Sequence, residues 1–334
     1  MLRSSTRVAT AQIACEPGNV GNNLETVTQV VRETAAEGAD LVVFPELSLS
    51  GYSLSDNLAG AALRLDSPEV EHLRRLSRQT AIAVGLVEET PDYRFFNSAM
   101  FFCGGELLHL HRKVYPPTYG IFAERKLFGV GSTLSAFDTP FGRVAMLICG
   151  DAWHPSLPYL AAHDGADLLL IMAASPNSGL GDRISSPDAW QRMNCTYALT
   201  MSFFVCFSNR VGSEGDLHFT GRSHLVGPAG VVVAACPDND AGFAIGEFTA
   251  DQLRAQRMNL PFRRDDRLEF VLECGQRIRH SALKRDMQPW GELAERRDAE
   301  ATPSGDVAGR IHPGPPLGQP TSPLPDRDRS RWAI

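Results

Sequence analysis

The sequence is poor in the features that mark several large protein classes. Among its 334 residues, 32 Lys and Arg stand against 39 Asp and Glu, a formal net charge of −7. Without a basic excess, no phosphate-backbone partner is expected and no nucleic acid is assigned. No run approaches the roughly 18 consecutive apolar residues of a membrane span, so no membrane contact is assigned either. The seven cysteines, at 15, 103, 149, 195, 206, 236 and 274, are odd in number and form no C-x-x-C pair. Several sit in apolar runs such as VCFSN and VVVAACP, where buried free thiols are the common case. A disulfide framework and a zinc-type cluster are therefore not expected, and a reducing cytoplasm fits best. His109, His111 and His154 have no metal-ligand spacing and are read as structural or solvated.

What is present describes an ordinary globular chain. Hydrophobic residues make up 43% and charged residues 21%, which excludes wholesale disorder, a coiled coil and a collagen-like repeat. The opening MLRSSTRVATAQIACEPG imitates an export signal ending at Cys15. Its apolar part is short, broken by Gln12 and alternates like a strand, so export is not expected.

Short β-rich runs then alternate with helical spacing. RVATAQIA, ADLVVFPE, AIAVGLVEE, RVAMLICG, ADLLLIMAA and SFFVCFSN read as strands. FNSAMFFC and ELLHLHRK are expected to form a hairpin about Gly104-Gly105, and a last hairpin turns around Pro228 and Gly230. Helices are expected over 22–36, 68–80, near PSLPYLAAH, and from about 188 to 201. From residue 286 the chain becomes rich in Pro, Gly, Asp and Arg, a composition that cannot bury enough apolar surface to offset its ordering entropy. The expected division is a domain over 1–285 and a largely disordered tail over 286–334.

Three separated residues then draw notice. Glu46 ends LVVFPE, where a carboxylate after a buried strand is costly unless paired or set at a site mouth. Taken alone, a strand-end Glu is more often a solvated turn residue. Lys113, in LHLHRKVYPP, would alone be more often a surface charge. Cys149, in VAMLICGDAWHP, stands where an apolar strand stops and a helix starts. That strand–turn–helix layout exposes a nucleophile at the turn, although a packed core cysteine explains the motif equally well on its own.

The three motifs PEL–SGY, HRK–YG–F-E and CGD–W–P occur in this order, followed by SNRVGSEGDLHFTGRSHLVGPAG. In this the chain resembles the nitrilase superfamily of carbon–nitrogen hydrolases over about residues 5–280. The resemblance implies a four-layer α-β-β-α sandwich and a Glu-Lys-Cys triad. Carried over by motif, Glu46 is the general base, Lys113 the oxyanion stabiliser and Cys149 the nucleophile. Glu124, in YGIFAERKLF, matches a second glutamate beside the lysine; its alternative is a surface partner for Arg125 or Lys126. The Gly150 N–H would be a second oxyanion donor, and Tyr119, Trp153 and Ser175 would line the pocket. Trp153 as plain core and Ser175 as a cap remain alternatives. No metal or organic cofactor is implied.

Within the family, nitrilases carry Cys-Trp-Glu at the nucleophile, and carbamoyl-amino-acid hydrolases often place arginines after it. Here Cys149-Gly150-Asp151 precedes Ala152, Trp153 and His154. PTYGIFAE, CGDAWHP and MAASPNSG look similar to the glutamine-amidase domain of glutamine-dependent NAD synthetases, without the appended ATP-using domain. The expectation is a stand-alone amidase acting on a small linear amide through a thioester. Alternatives are a glutaminase subunit feeding a separate synthetase, an N-carbamoyl amide hydrolase, and a catalytically silent scaffold. Family members commonly pair through helices, which here would be PSLPYLAAH and DAWQRMNCTYALTM, so a symmetric homodimer or larger homo-oligomer is expected.

Overall fold

The computed structural model describes residues 4–54, 57–181 and 184–286. One compact unit runs to Leu268 and a second begins at Glu269. The expected tail, beyond its first residue, lies outside the described residues. The first half of the chain forms β1 (Ser5–Gln12), α1 (Val20–Ala36), β2 (Leu41–Val43), β3 (Ala62–Leu63), α2 (Pro68–Leu76), β4 (Ala81–Glu89), β5 (Phe95–Cys103) and β6 (Glu106–Arg112). The centre supplies β7 (Phe137–Thr139), β8 (Gly142–Ile148), α3 (Ser156–His163), β9 (Leu168–Ala173), α4 (Ser186–Met201) and β10 (Phe204–Asn209). There follow β11 (Val211–Glu214), β12 (Leu217–Thr220), β13 (His224–Val226), β14 (Val232–Ala235) and β15 (Gly242–Thr249). Helices α5 (Ala250–Asn259), α6 (Phe262–Asp265) and α7 (Leu268–Asp286) end the described chain. Among the described residues no helix is long and apolar enough to cross a membrane.

Local chemistry sets several boundaries. Asn19 caps α1 by accepting from Asn22 N–H, and the buried Val27, Val30 and Val31 follow at helical spacing. Helix α2 stops at Leu76 and does not reach Thr80. The Ser77 hydroxyl turns back to Arg74 O at 2.8 Å, offering the backbone an alternative to another helical turn. Gly104 and Gly105, at φ 62° and 92°, make the expected tight hairpin between β5 and β6.

The strands form two main sheets. One is ordered β15-β1-β2-β4-β5-β6, with β3 beside β4; the other is ordered β14-β13-β10-β9-β8-β7. Alternation within single strands shows the layering. In the first sheet Val8, Leu41, Val43, Ala83 and Phe101 pack with β8, β9 and β10 of the second. Their neighbours Ala9, Val42, Val84 and Phe102 pack with Val27 and Val31 of α1 and Leu73 of α2. Leu157 and Ala161 of α3 and Trp190 and Ala198 of α4 cover the second sheet. The result is the four-layer α-β-β-α sandwich. Hydrogen bonds also cross between the sheets: Thr10 Oγ1 donates to Phe207 O at 2.8 Å, and Ser208 Oγ to Ala11 O at 2.6 Å. Strand β15, antiparallel to β1, was not expected, because Gly242 and Gly246 interrupt its alternation and most of it is only half-buried.

Gly85 lies at the centre of β4, directly against the turn that follows β2. A Cβ there would sit 2.5 Å from Leu47 N and 2.7 Å from Pro45 O. Gly85→Ala should therefore push that turn away and cost about 1–3 kcal/mol of stability, measured by chemical denaturation. An unchanged midpoint and slope would contradict this close approach.

Candidate active site

Glu46 follows β2 by three residues, at the turn that Gly85 underlies. Its Oε1 accepts from Asn97 Nδ2 and from Lys113 Nζ, each at 2.7 Å, and its Oε2 accepts from Ala174 N–H at 2.7 Å. The carboxylate is thus gripped by β5, by the end of β6 and by the segment after β9. Leu47, next in the chain, is held at φ 50°, in the left-handed region.

Lys113 stands just past β6, where its N–H bonds to Asn97 O at 2.9 Å. Its side chain is fully buried. Besides Glu46, Nζ donates to both Glu124 oxygens at 2.8 Å. Glu124 therefore points inward, not toward Arg125 or Lys126, and its Oε1 also accepts from Tyr52 OH at 2.7 Å. Glu214, ion-paired with Arg210, accepts from the N–H groups of Tyr52 and Ser53 and so fixes the loop that carries Tyr52. Burial alone would lower the Lys113 pKa, but Glu124 and Glu46 outweigh it and hold the ammonium above its ordinary range. Burial pushes the Glu124 carboxyl up, with Lys113 opposing.

Cys149 opens a short 3-10 turn, Cys149–Trp153, at the end of β8. Its φ of 43° places a residue with a Cβ in the left-handed region, at a cost of roughly 1–2 kcal/mol. A strained strand-to-turn corner of this kind turns the side chain out of the strand. A Cβ on Gly150 would come within 2.7 Å of Tyr115 O and 3.5 Å of Lys113 Cε, so glycine is what lets this corner approach the lysine. Burial, then the charge of Glu46, raise the Cys149 thiol well above its ordinary pKa; Lys113 opposes, and hydrogen bonding to Glu46 adds to the rise. The sulfur thus lies against a buried carboxylate. Beside the pair lies a permanent positive charge.

Of the other expected residues, two line a neighbouring cavity whose wall includes none of Glu46, Lys113 and Cys149. Tyr119 and Gly150 line this cavity of about 410 Å3 together with Tyr115, Pro117, Arg125 and His154. The Tyr119 phenol is raised by burial and then by Cys149, which places it within electrostatic reach of the sulfur. Trp153 and Ser175 are not among the residues around that cavity. Trp153 meets buried Trp190 edge-on at 5.4 Å, and the Ser175 hydroxyl lies 2.9 Å from Ser186 Oγ. Asn97, Tyr52 and the Ala174 N–H were not foreseen. They come from a strand interior, a loop and a backbone group; the SGY and MAASPNSG motifs contain Tyr52 and Ala174 but do not announce these contacts. Among the described residues no group of three or more His, Cys, Asp or Glu is placed to hold a metal ion.

Lys113→Met should leave Glu46 and Glu124 facing each other without the cation between them. Removing one partner of a buried ion pair costs about 3–5 kcal/mol. Burial raises the Glu124 carboxyl, and without Lys113 to oppose it that carboxyl stays above its unfolded value of about 4.3. Its contribution to stability is then greatest below that value and is lost as pH rises. Urea denaturation should show a large loss near pH 8 and a smaller one near pH 5; a loss independent of pH would contradict the arrangement.

Comparison with known proteins identifies the family. The carbon-nitrogen hydrolase family model matches residues 7–258. The chain is 27% identical over 276 residues to an N-carbamoylputrescine amidase of Solanum tuberosum, covering 78% of this chain and 91% of that protein. It is 24% identical over 255 residues to a glutamine-dependent NAD(+) synthetase of Acinetobacter baylyi, covering 76% of this chain but only 46% of the synthetase. Among solved structures, a mutant of the amidase from Nesterenkonia sp. AN1 in complex with butyramide matches with a TM-score of 0.63 and 26% identity, over 76% of this chain and 95% of that one. The family match over three quarters of the sequence, on a four-layer sandwich, shows that the chain belongs to the carbon-nitrogen hydrolases of the nitrilase superfamily.

Proposed function

We propose that the protein is a cysteine-dependent amidase that hydrolyses a small linear primary amide through a thioester and releases ammonia. The observation that carries this reading is the buried Lys113 ammonium bridging Glu46 and Glu124, with the Cys149 thiol against Glu46. An amide carbon is a poor electrophile, and covalent attack divides one difficult hydrolysis into two easier steps. Glu46 takes the Sγ proton as sulfur bonds to the amide carbon. The charge that develops on the carbonyl oxygen faces Lys113 Nζ, with the Gly150 N–H as second donor. Glu46 then passes its proton to nitrogen, the C–N bond breaks and ammonia departs. A water, deprotonated by Glu46, attacks the thioester carbon, and the acid leaves as sulfur recovers its proton. Glu124 holds the lysine and helps hold the amide nitrogen in line, and Tyr119 with its neighbours forms the pocket wall. Neither a metal nor an organic cofactor enters these steps.

Primary amides are favoured over nitriles, because Glu46 can protonate the departing nitrogen of an amide's tetrahedral intermediate, whereas a nitrile first forms a thioimidate that needs a different proton delivery. The butyramide complex of the Nesterenkonia amidase supports a short aliphatic amide. The N-carbamoylputrescine amidase match supports a second reading, an N-carbamoyl amine. The synthetase match supports ammonia delivery to a separate enzyme, although the chain spans under half of that protein. A cytoplasmic site is supported by free thiols at Cys15, Cys149, Cys195, Cys206, Cys236 and Cys274. A symmetric homodimer through α3 and α4 is supported by Leu160 and Leu199, leucines that these helices leave exposed. A strictly monomeric mass by light scattering would refute it.

Ammonia release should be measured with butyramide, glutamine, N-carbamoylputrescine and butyronitrile. The amides should turn over and the nitrile should not. Cys149→Ala should be folded and inactive, whereas Cys103→Ser and Cys274→Ser keep most activity. Lys113→Met should lose about 10² or more in kcat, as expected when an oxyanion donor is removed. Faster turnover of the nitrile or the carbamoyl compound than of every amide would overturn the substrate assignment.

A further inference from the structure

Two buried ionisable groups beside the nucleophile corner take no part in these proton transfers. Asp151 has no exposed surface, and His111 is 2% exposed. Asp151 Oδ1 accepts from the N–H groups of Val114 and Tyr115, at 2.9 and 2.8 Å. Its Oδ2 accepts from Ile148 N–H at 3.1 Å and lies 2.9 Å from His111 Nε2. Val114 and Tyr115 follow Lys113, His111 precedes it by two residues, and Ile148 immediately precedes Cys149. One carboxylate therefore ties the chain on both sides of the lysine to the chain beside the cysteine.

The connection also spans the sandwich. Lys113 leaves β6 at the edge of the first sheet, and Cys149 leaves β8 in the second. Apolar contact between the sheets is non-directional and does not by itself fix their relative position to a fraction of an ångström. Four directed bonds to a carboxylate do, because charge-assisted hydrogen bonds are short and geometrically selective. We propose that Asp151, oriented by His111, is a positioning residue that sets the Lys113 ammonium against the oxyanion formed at Cys149. This rests on the amidase reading, since it assigns Asp151 and His111 no contact with substrate and an effect only through the lysine and the cysteine corner.

The account separates two reactions of the same sulfur. Amide hydrolysis builds an oxyanion opposite Lys113. Alkylation by iodoacetamide forms an S–C bond with loss of iodide, the thiol proton passing to base, and builds none. The test uses the full chain with His111→Leu, Asp151→Asn and His111→Gln, each normalised to its folded fraction by near-UV circular dichroism. His111→Leu and Asp151→Asn should lower kcat on butyramide by about tenfold or more with KM within about twofold, because small misplacements of reacting groups cost rate steeply. Iodoacetamide alkylation at Cys149, followed by peptide mass, should stay within about threefold of wild type in every variant, since it needs no oxyanion donor. The side-chain amide of Gln can reach the same Asp151 oxygen, so His111→Gln should recover kcat to within about threefold of wild type.

Unchanged kcat per folded molecule in His111→Leu would overturn the proposal, leaving a purely structural pair. So would equal losses in alkylation and hydrolysis, or a His111→Gln variant as slow as His111→Leu. If Asp151→Asn fails to fold, the two His111 variants still decide the matter. No ammonia from wild type on any amide would overturn the amidase reading and this proposal together, whereas wild-type turnover with an unaffected His111→Leu overturns the proposal alone.

Discussion

The molecule is organised around an ammonium group buried between two carboxylates. Lys113 Nζ lies 2.7 Å from Glu46 and 2.8 Å from Glu124, out of contact with bulk water. Withdrawing such groups from solvent costs several kcal/mol each, and their mutual attraction offsets this only when geometry is good and the remaining lone pairs are satisfied. The surrounding structure meets that condition: Asn97, the Ala174 N–H and Tyr52 complete the hydrogen bonding of the carboxylates. The cluster is a weak source of net stability and a strong source of orientation. Four separate stretches of chain must arrive together, which explains why the close approach of β4 at Gly85 and of Lys113 at Gly150 leaves no room for a side chain.

Two of the six non-glycine residues at positive φ among the described residues lie at the same place. Leu47 beside the carboxylate and Cys149 itself both adopt left-handed backbone conformations. Such residues persist where packing on both sides over-determines them. Here the support comes from strands buried on both faces, including β8, β9 and β10, and from the bonds of Asp151 and Glu214 to backbone N–H groups. Burial, then the charge of Glu46, raises the Cys149 thiol, so the proposed attack by sulfur requires a proton acceptor already in place.

Much of this was legible in the sequence because it depends on local pattern. Continuous apolar runs such as LLLIM mark strands buried twice over, and the Gly104-Gly105 pair marks a hairpin with its turn chemistry. Glu46 and Cys149 each stand at the end of an apolar strand, where polarity is abrupt enough to notice, whereas Lys113 follows the mixed strand ELLHLHR. Their mutual contact is long-range, and only the resemblance of the three motifs to one family joined them. Asn97 and His111 were less visible because a buried polar residue within a strand looks like ordinary alternation until its partner is known. Asp151 was in view as part of Cys-Gly-Asp, but nothing in that tripeptide tells that its carboxylate binds a histidine 40 residues earlier. Strand β15 was missed because glycine and half-burial weaken the alternating signal.

On the proposed route Cys149 Sγ carries the acyl group after ammonia has left. An acid quench during turnover of butyramide, followed by peptide mass analysis of every cysteine, detects that group directly. The expected result is a butyryl group on the peptide containing Cys149, with ammonia appearing ahead of butyrate in the first turnover. Ammonia formed at full rate with no adduct on Cys149, or an adduct confined to another cysteine, would contradict it.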